Sequence, residues 1–187
     1  MDDLVYPKIG LYKLPKKNIL VISCMDLRLT DNMLHFLNFD NLQNRYDHVI
    51  LAGTSLFCTE HRKELFTSGS FEKYGYWKKM LMDHVQLAID LHQIKDVYIF
   101  EHEDCGAYSN FLSKDKVDLS SLEKVKACHK IFGSELAKEI NQKVYTEQTK
   151  DGSLISYQLH AHCFFIDLRG NVELLFTTNP LSPVAAE

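Results

Sequence analysis

Hydrophobic positions follow two different periods along this chain. Asn18 to Ser23 (NILVIS), His48 to Ala52 (HVILA) and Val97 to Phe100, within DVYIFEH, are short and nearly continuous apolar runs. Runs of that length predict strands buried on both faces. Between them the spacing becomes helical. Thr30 to Leu37 predicts a short helix. Tyr74 to Gln93 predicts a long one, with Trp77, Met80, Leu81, Val85, Ala88 and Leu91 on its apolar face. Ser120 is the expected cap of a third helix, with Glu123 completing a capping box. Leu122, Val125, Phe132, Leu136 and Ile140 supply that helix's apolar stripe.

Strands that alternate with helices predict a parallel sheet with right-handed crossovers. The pattern changes past the Asp151-Gly152 turn signal. Leu154 to Leu159 and Cys163 to Leu168 read as strands, Arg169-Gly170-Asn171 as a tight turn, and Val172 to Phe176 as the returning strand. The expected fold is therefore α/β: a central, mainly parallel β-sheet flanked by helices, with an added edge strand or hairpin near the C-terminus. One domain spans residues 1–187, with a loose tail over about 177–187 that contains Pro180 and Pro183. Asn110 to Leu119 reads as a polar loop within that domain.

Composition narrows the function. At 187 residues, 45% hydrophobic and 11% aromatic, the chain can bury a full core. A net charge of −4 and a pI near 6.1 argue against a general nucleic-acid binder, which needs a basic face. No apolar run approaches the roughly 20 residues of a membrane-spanning helix. Met1 to Lys17 lacks the apolar core of a signal peptide. A cytoplasmic location is expected, with no nucleic-acid or membrane partner. The odd number of cysteines, 5, fits poorly with a disulfide framework.

Two motifs carry the candidate chemistry, and both sit where predicted strands end. Cys24-Met25-Asp26-Leu27-Arg28 follows the first strand, and His102-Glu103-Asp104-Cys105-Gly106 follows the third. Open parallel sheets bind ligands beyond the carboxyl ends of their strands, so these loops can meet there. Cys24, His102 and Cys105 make a Cys2His set suited to Zn2+, leaving a fourth position open. Asp26 can fill that position as a carboxylate or turn away and let water in. Arg28 can fork-bond Asp26 and hold it off the metal. Gly106 would let the backbone pass close to the ion.

These motifs resemble those of the β-class carbonic anhydrases, which carry Cys-x-Asp-x-Arg after the first strand and His-x-x-Cys-Gly after a later one. Here they read CMDLR and HEDCG. The resemblance runs in order and spacing from about Asn18 to Cys105 and more loosely to about Leu175. It implies a zinc-dependent lyase whose zinc hydroxide attacks CO2 to give bicarbonate. Cys24, His102 and Cys105 would ligate the metal, Asp26 would alternate with water, and Asp26 and Arg28 would form the catalytic dyad. It also implies a homodimer or higher homo-oligomer with the cleft at the subunit interface. One segment departs from the family. Where an Arg-Asn-Ala-Gly-Asn-like segment follows the second strand, this chain has Ile50-Leu51-Ala52-Gly53-Thr54, and Tyr108 follows the second motif. Two further readings follow from that departure. One is a hydrolase of another small linear molecule such as carbon disulfide. The other is a non-catalytic zinc-binding protein of the same fold.

Other candidate groups are assigned more ordinary roles. Cys128 and Cys163 read as packing residues. Cys58-x-x-His61 lacks further ligands nearby. His160-Ala-His162 reads as a polar sheet edge, and His84 and His92 as part of the long helix's face. Glu103 is expected in solvent and Asp104 bonded to its own loop backbone. A dithiol redox role for Cys24 and Cys105 leaves His102 and Asp26 without a purpose. No glycine-rich loop follows the first strand to hold a nucleotide.

Overall fold

A computed structural model describes residues 4–180. The elements in chain order are β1 (Ile19–Cys24), α1 (Thr30–Phe39), β2 (Tyr46–Leu51), α2 (Ser70–Tyr74), α3 (Trp77–His92) and β3 (Asp96–His102). They continue with α4 (Gly106–Phe111), α5 (Leu122–Gln142), β4 (Tyr145–Gln148), β5 (Leu154–Tyr157), β6 (His160–Ile166) and β7 (Val172–Thr177). Five strands form one sheet in the order β2-β1-β3-β6-β7. β2, β1, β3 and β6 run parallel, and β7 closes the edge antiparallel to β6.

The alternation of side chains on these strands builds two cores. Leu20, Ile22, Val97, Ile99, Ala161, Cys163 and Phe165 pack with Leu81, Val85, Ala88 and Ile89 of α3 and Leu136, Ala137 and Ile140 of α5. Ile19, Val21, Tyr98, Phe100, Phe164 and Ile166 pack with Met33, Phe36 and Leu37 of α1 and with Tyr12. Both faces of β1, β3 and β6 are thus covered, as their continuous apolar runs require. β2 was expected to be buried likewise, but it forms the sheet edge, where His48 and Ile50 are exposed because no strand among the described residues lies beyond them.

The differences from expectation are local. The cap of α5 is Ser121, one residue later than expected, its side chain accepting from the Lys124 N–H. The buried stripe of α3 uses Ile89, whereas Leu91 is 69% exposed. β5 pairs with β4, a strand the apolar pattern did not mark, in a separate antiparallel ribbon. β6 begins at His160, inside the sheet between β3 and β7, so His160 and His162 do not lie on a polar edge. His162 is fully buried, with its ring nitrogens facing Thr177 Oγ1 at 2.8 Å and Asp96 Oδ1 at 3.4 Å. Thr177 ends β7, Thr178 N–H donates to Ala161 O, and Pro180 bridges Tyr12. The rest of the tail expected to be loose lies outside the described residues.

The sheet order reverses at β1. From β1 the chain moves to β2 on one side, then returns to β3 on the other. Such a switch point leaves a crevice at the carboxyl ends of the two central strands. Cys24 is the last residue of β1 and His102 the last of β3.

Candidate metal centre

The switch point gathers the two motifs. The side-chain ligand atoms of Cys24, His102 and Cys105 all lie within 4.8 Å of one another. The two sulfurs are 4.0 Å apart. Cys105 and His102 are buried and Cys24 is partly so. His102 Nδ1 faces the Glu103 carbonyl oxygen at 2.8 Å. A carbonyl only accepts, so Nδ1 carries the proton. His102 Nε2 is buried without a hydrogen-bond partner among the described residues. An orphaned buried imidazole nitrogen beside two thiols is a donor set that fits zinc.

The electrostatics of the trio favour one thiolate. Hydrogen bonding from Cys105 holds the Cys24 thiol down to about 4, against the opposing effect of burial, with further help from His102 and the Gly53 N–H. Cys105 is pushed up, first by the Cys24 thiolate and then by burial; the Tyr108 backbone amide offsets part of that rise. Burial opposes the charged form of His102, but the neighbouring Cys24 thiolate outweighs it and raises the imidazole above its usual range.

Asp26 caps the turn into α1 and is gripped by Arg28. Arg28 Nε donates to Asp26 Oδ1 at 2.9 Å and Nη2 to Oδ2 at 2.6 Å, a fork-on-fork pair. The same guanidinium reaches the other loop, donating to Asp104 Oδ2 at 2.9 Å and to the Asp104 carbonyl at 3.1 Å. Asp104 therefore serves Arg28 rather than its own loop backbone. The Arg28 hydrogen bonds hold the Asp26 carboxyl down to about 2. Asp26 lies outside the three-residue ligand cluster. Glu103, expected in solvent, accepts from the Leu168 N–H at 3.0 Å.

A third segment completes the site, and the sequence motifs did not include it. The Gly53 N–H points at Cys24 Sγ at 3.3 Å. Gly53 has φ +76, and a Cβ there would come within 2.9 Å of Ala107 Cβ, so glycine is required twice over. Gly106, expected to provide close approach, has room: its Cβ would meet Asn110 at 4.0 Å. Thr54 also has positive φ, at 50°. That is rare for a β-branched residue and costs roughly 1–3 kcal/mol. Its hydroxyl donates to the Phe100 carbonyl at 2.9 Å. Beyond it, Ser55 and the fully buried Glu101, His129 and Tyr108 form a polar cluster behind the sulfurs. A glutamate inside the apolar run of β3 was the available sign of that cluster.

A cavity of about 340 Å³ opens beside the trio. Cys24, Asp26, Ser23, His48 and His102 form its polar end, and Leu29, Met33, Ile50, Phe100 and Ile166 its apolar wall. His48 Nε2 shares a hydrogen bond with Ser23 Oγ at 2.7 Å. Burial holds the His48 imidazole below its usual range. The remaining cysteines lie elsewhere. Cys58 and Cys163 are fully buried, and Cys58, His61, His160 and His162 belong to no metal-ligating cluster among the described residues. No helix among those residues is long and apolar enough to cross a membrane.

The architecture is that of the β-carbonic anhydrases. The β-carbonic anhydrase CafD of Aspergillus fumigatus superposes with a TM-score of 0.51 at 12% identity, over 90% of this chain and 95% of that one. CafA of the same fungus gives 0.50 at 13% identity, over 86% and 76%. At such identity the likeness is one of fold. In sequence the chain is 28% identical over 167 residues to an uncharacterised protein of Rickettsia bellii, covering 89% of this chain and 87% of that protein. It is also 28% identical over 163 residues to an uncharacterised protein of Rickettsia conorii, covering 87% and 74%. No family model matches.

Proposed function

We propose that this protein is a zinc-dependent carbonic anhydrase-type enzyme that hydrates CO2 to bicarbonate. The observation that carries the reading is the convergence of Cys24, His102 and Cys105 within 4.8 Å, beside a carboxylate held by a forked arginine. Cys24 and Cys105 bind Zn2+ as thiolates and His102 through Nε2, its Nδ1–H fixed by the Glu103 carbonyl. The metal supplies Lewis-acid activation of water.

The chain's own groups do the rest. Asp26, kept ionised by Arg28, accepts a hydrogen bond from the attacking water and orients it. Arg28 keeps Asp26 in place and couples the two motif loops through Asp104. The apolar wall receives an uncharged linear molecule without offering it a competing hydrogen bond. His48, at the cavity's polar end, carries the released proton away. A homodimer or larger homo-oligomer in the cytoplasm is part of the same proposal. Leu87 and Leu91 of α3 are 51% and 69% exposed one helical turn apart, and this apolar face would suit a second copy.

Stopped-flow CO2 hydration on zinc-loaded protein is the test. The proposal expects turnover that depends on zinc and is lost in Asp26→Ala. A zinc-replete chain without turnover would leave a non-catalytic metal protein. Ile50 in the cavity wall, where the family has a polar segment, favours one second reading: hydrolysis of a more apolar linear molecule such as carbon disulfide. Sulfide release from carbon disulfide by the same preparation distinguishes it.

A further inference from the structure

We propose that Glu101 is a positioning residue that holds the Gly53 backbone amide against the Cys24 sulfur of the metal centre. This inference rests on the metal-binding reading of Cys24, His102 and Cys105.

Glu101 is fully buried on β3, one residue before His102. A buried carboxylate is costly unless its oxygens are satisfied. Its Oε1 accepts from the Ser55 N–H at 3.2 Å and from Ser55 Oγ at 2.5 Å. Its Oε2 meets His129 Nδ1 at 2.6 Å. The first of these partners leads back to a sulfur. Ser55 follows Gly53 and Thr54, both at positive φ, and the Gly53 N–H is aimed at Cys24 Sγ. A turn strained at Thr54 persists only where its surroundings over-determine it. Here β3 supplies the restraint: the Phe100 carbonyl holds the Thr54 hydroxyl, and Glu101 holds Ser55.

The second arm reaches α4, the helix that Cys105 caps. Ser55 Oγ lies 3.3 Å from Tyr108 Oη, and the His129 ring sits on the Tyr108 ring at 3.7 Å between centroids. Tyr108 lies in the first turn of α4. One carboxylate therefore fixes the turn that carries the Gly53 amide and braces the helix that follows Cys105. An amide N–H on a thiolate draws charge from the sulfur and makes it a weaker donor to a metal. Removing that restraint should strengthen sulfur donation while loosening ligand geometry. Partners of this kind typically change metal affinity by about 10–100-fold.

Cobalt(II) in place of zinc reads this out without any assay of turnover. Thiolate-to-cobalt charge-transfer absorption reports the hydrogen bonding of the sulfurs, and competition with a chelator reports affinity. Ser55→Ala and Glu101→Ala are expected to move the charge-transfer band to longer wavelength and to weaken cobalt binding about tenfold. Glu101→Gln keeps an oxygen for Ser55 and is expected to restore both. If Glu101→Ala does not fold, Ser55→Ala decides alone. A Ser55→Ala protein with an unshifted band and unchanged affinity would overturn the proposal. A wild-type chain that takes up no cobalt would instead overturn the metal centre, and this inference with it.

Discussion

Arg28 holds Asp26 by both carboxylate oxygens while its remaining nitrogen binds Asp104, so one guanidinium fixes the catalytic candidate and joins the two motif loops. Lysine has a point charge and cannot reproduce that fork. In Arg28→Lys, Asp26 should regain freedom to swing, and its pKa should rise from about 2 toward the ordinary carboxylate range. A depressed carboxylate pKa contributes stability that is present above the unfolded value and lost as pH falls toward the folded one. Carbon-detected NMR titration of Asp26 in zinc-loaded protein measures the shift. Bound zinc should remain, with kcat/KM for CO2 reduced about tenfold or more, as expected when a reacting group is misplaced. An unchanged Asp26 titration would contradict the geometry.

Cys105→Ser tests the ligand set more directly. The Cys105 thiol is buried 4.0 Å from the Cys24 sulfur. A serine hydroxyl there stays protonated and neutral, whereas zinc sites of this type need thiolate. Elemental analysis should find about one zinc per chain in the wild type and almost none in the variant. A full complement of zinc in Cys105→Ser would remove Cys105 from the set.

Much of this arrangement was legible in the chain because it rests on local patterns. The apolar runs gave β1, β2 and β3 to within about two residues, and the two motifs placed Cys24 and His102 at strand ends. What escaped depends on long-range contacts. β4 has the buried pattern of alternate residues, Tyr145 and Glu147, over only a single short ribbon, too little for periodicity to detect. The segment Ile50 to Thr54 was read only as a departure from the resembled motif, and the relation of Gly53 to Cys24 exists only once β1 and β2 pair in register. Glu101 was hidden in an apolar run as one charge among strand residues. His129 likewise lies on α5, and only the packing of that helix on the sheet brings it to Glu101. His162 was misplaced at a polar sheet edge because β6 was expected to start at Cys163, and only the pairing of β6 between β3 and β7 buries it.

Asp40 offers a pH prediction away from the candidate metal centre. Its carboxylate is buried and accepts from Tyr12 Oη at 2.6 Å and Tyr98 Oη at 2.7 Å, both on Oδ2. His162 is the basic side chain that would act on it if protonated, and Lys8, Lys13 and Lys16 line the same cavity as Asp40. Burial raises the Asp40 pKa, against the two tyrosine hydrogen bonds and His162. An acid raised in the folded state contributes stability that is full below its unfolded pKa and is lost as pH rises through the folded value. The loss should therefore begin near the ordinary aspartate range of about 4 and continue above it. In Asp40→Asn this dependence should vanish. Thermal unfolding of both proteins across that range should give Tm values whose difference changes with pH. A constant difference would show that Asp40 does not titrate differently on folding.

The contact of α5 with β6 is tight enough to predict a rescue. Gly133 sits against Cys163 of β6: a Cβ added there would lie 2.3 Å from Cys163 Sγ and 3.4 Å from Glu101 Cγ. Ala is a better helix former than Gly by about 1 kcal/mol, so an exposed site would gain from the change. Here the clash is with a fully buried sulfur in a core that cannot give way, and overpacking of this kind costs about 1–3 kcal/mol. Gly133→Ala should therefore lower stability despite its propensity. Cys163→Ala alone should also cost stability, by opening a small cavity. Combined, the new methyl takes up the space that the sulfur leaves, so the double variant should be more stable than the sum of the single changes predicts. A double-mutant cycle from chemical denaturation measures that coupling. Additive effects would mean that α5 shifts off β6 rather than meeting it at Gly133.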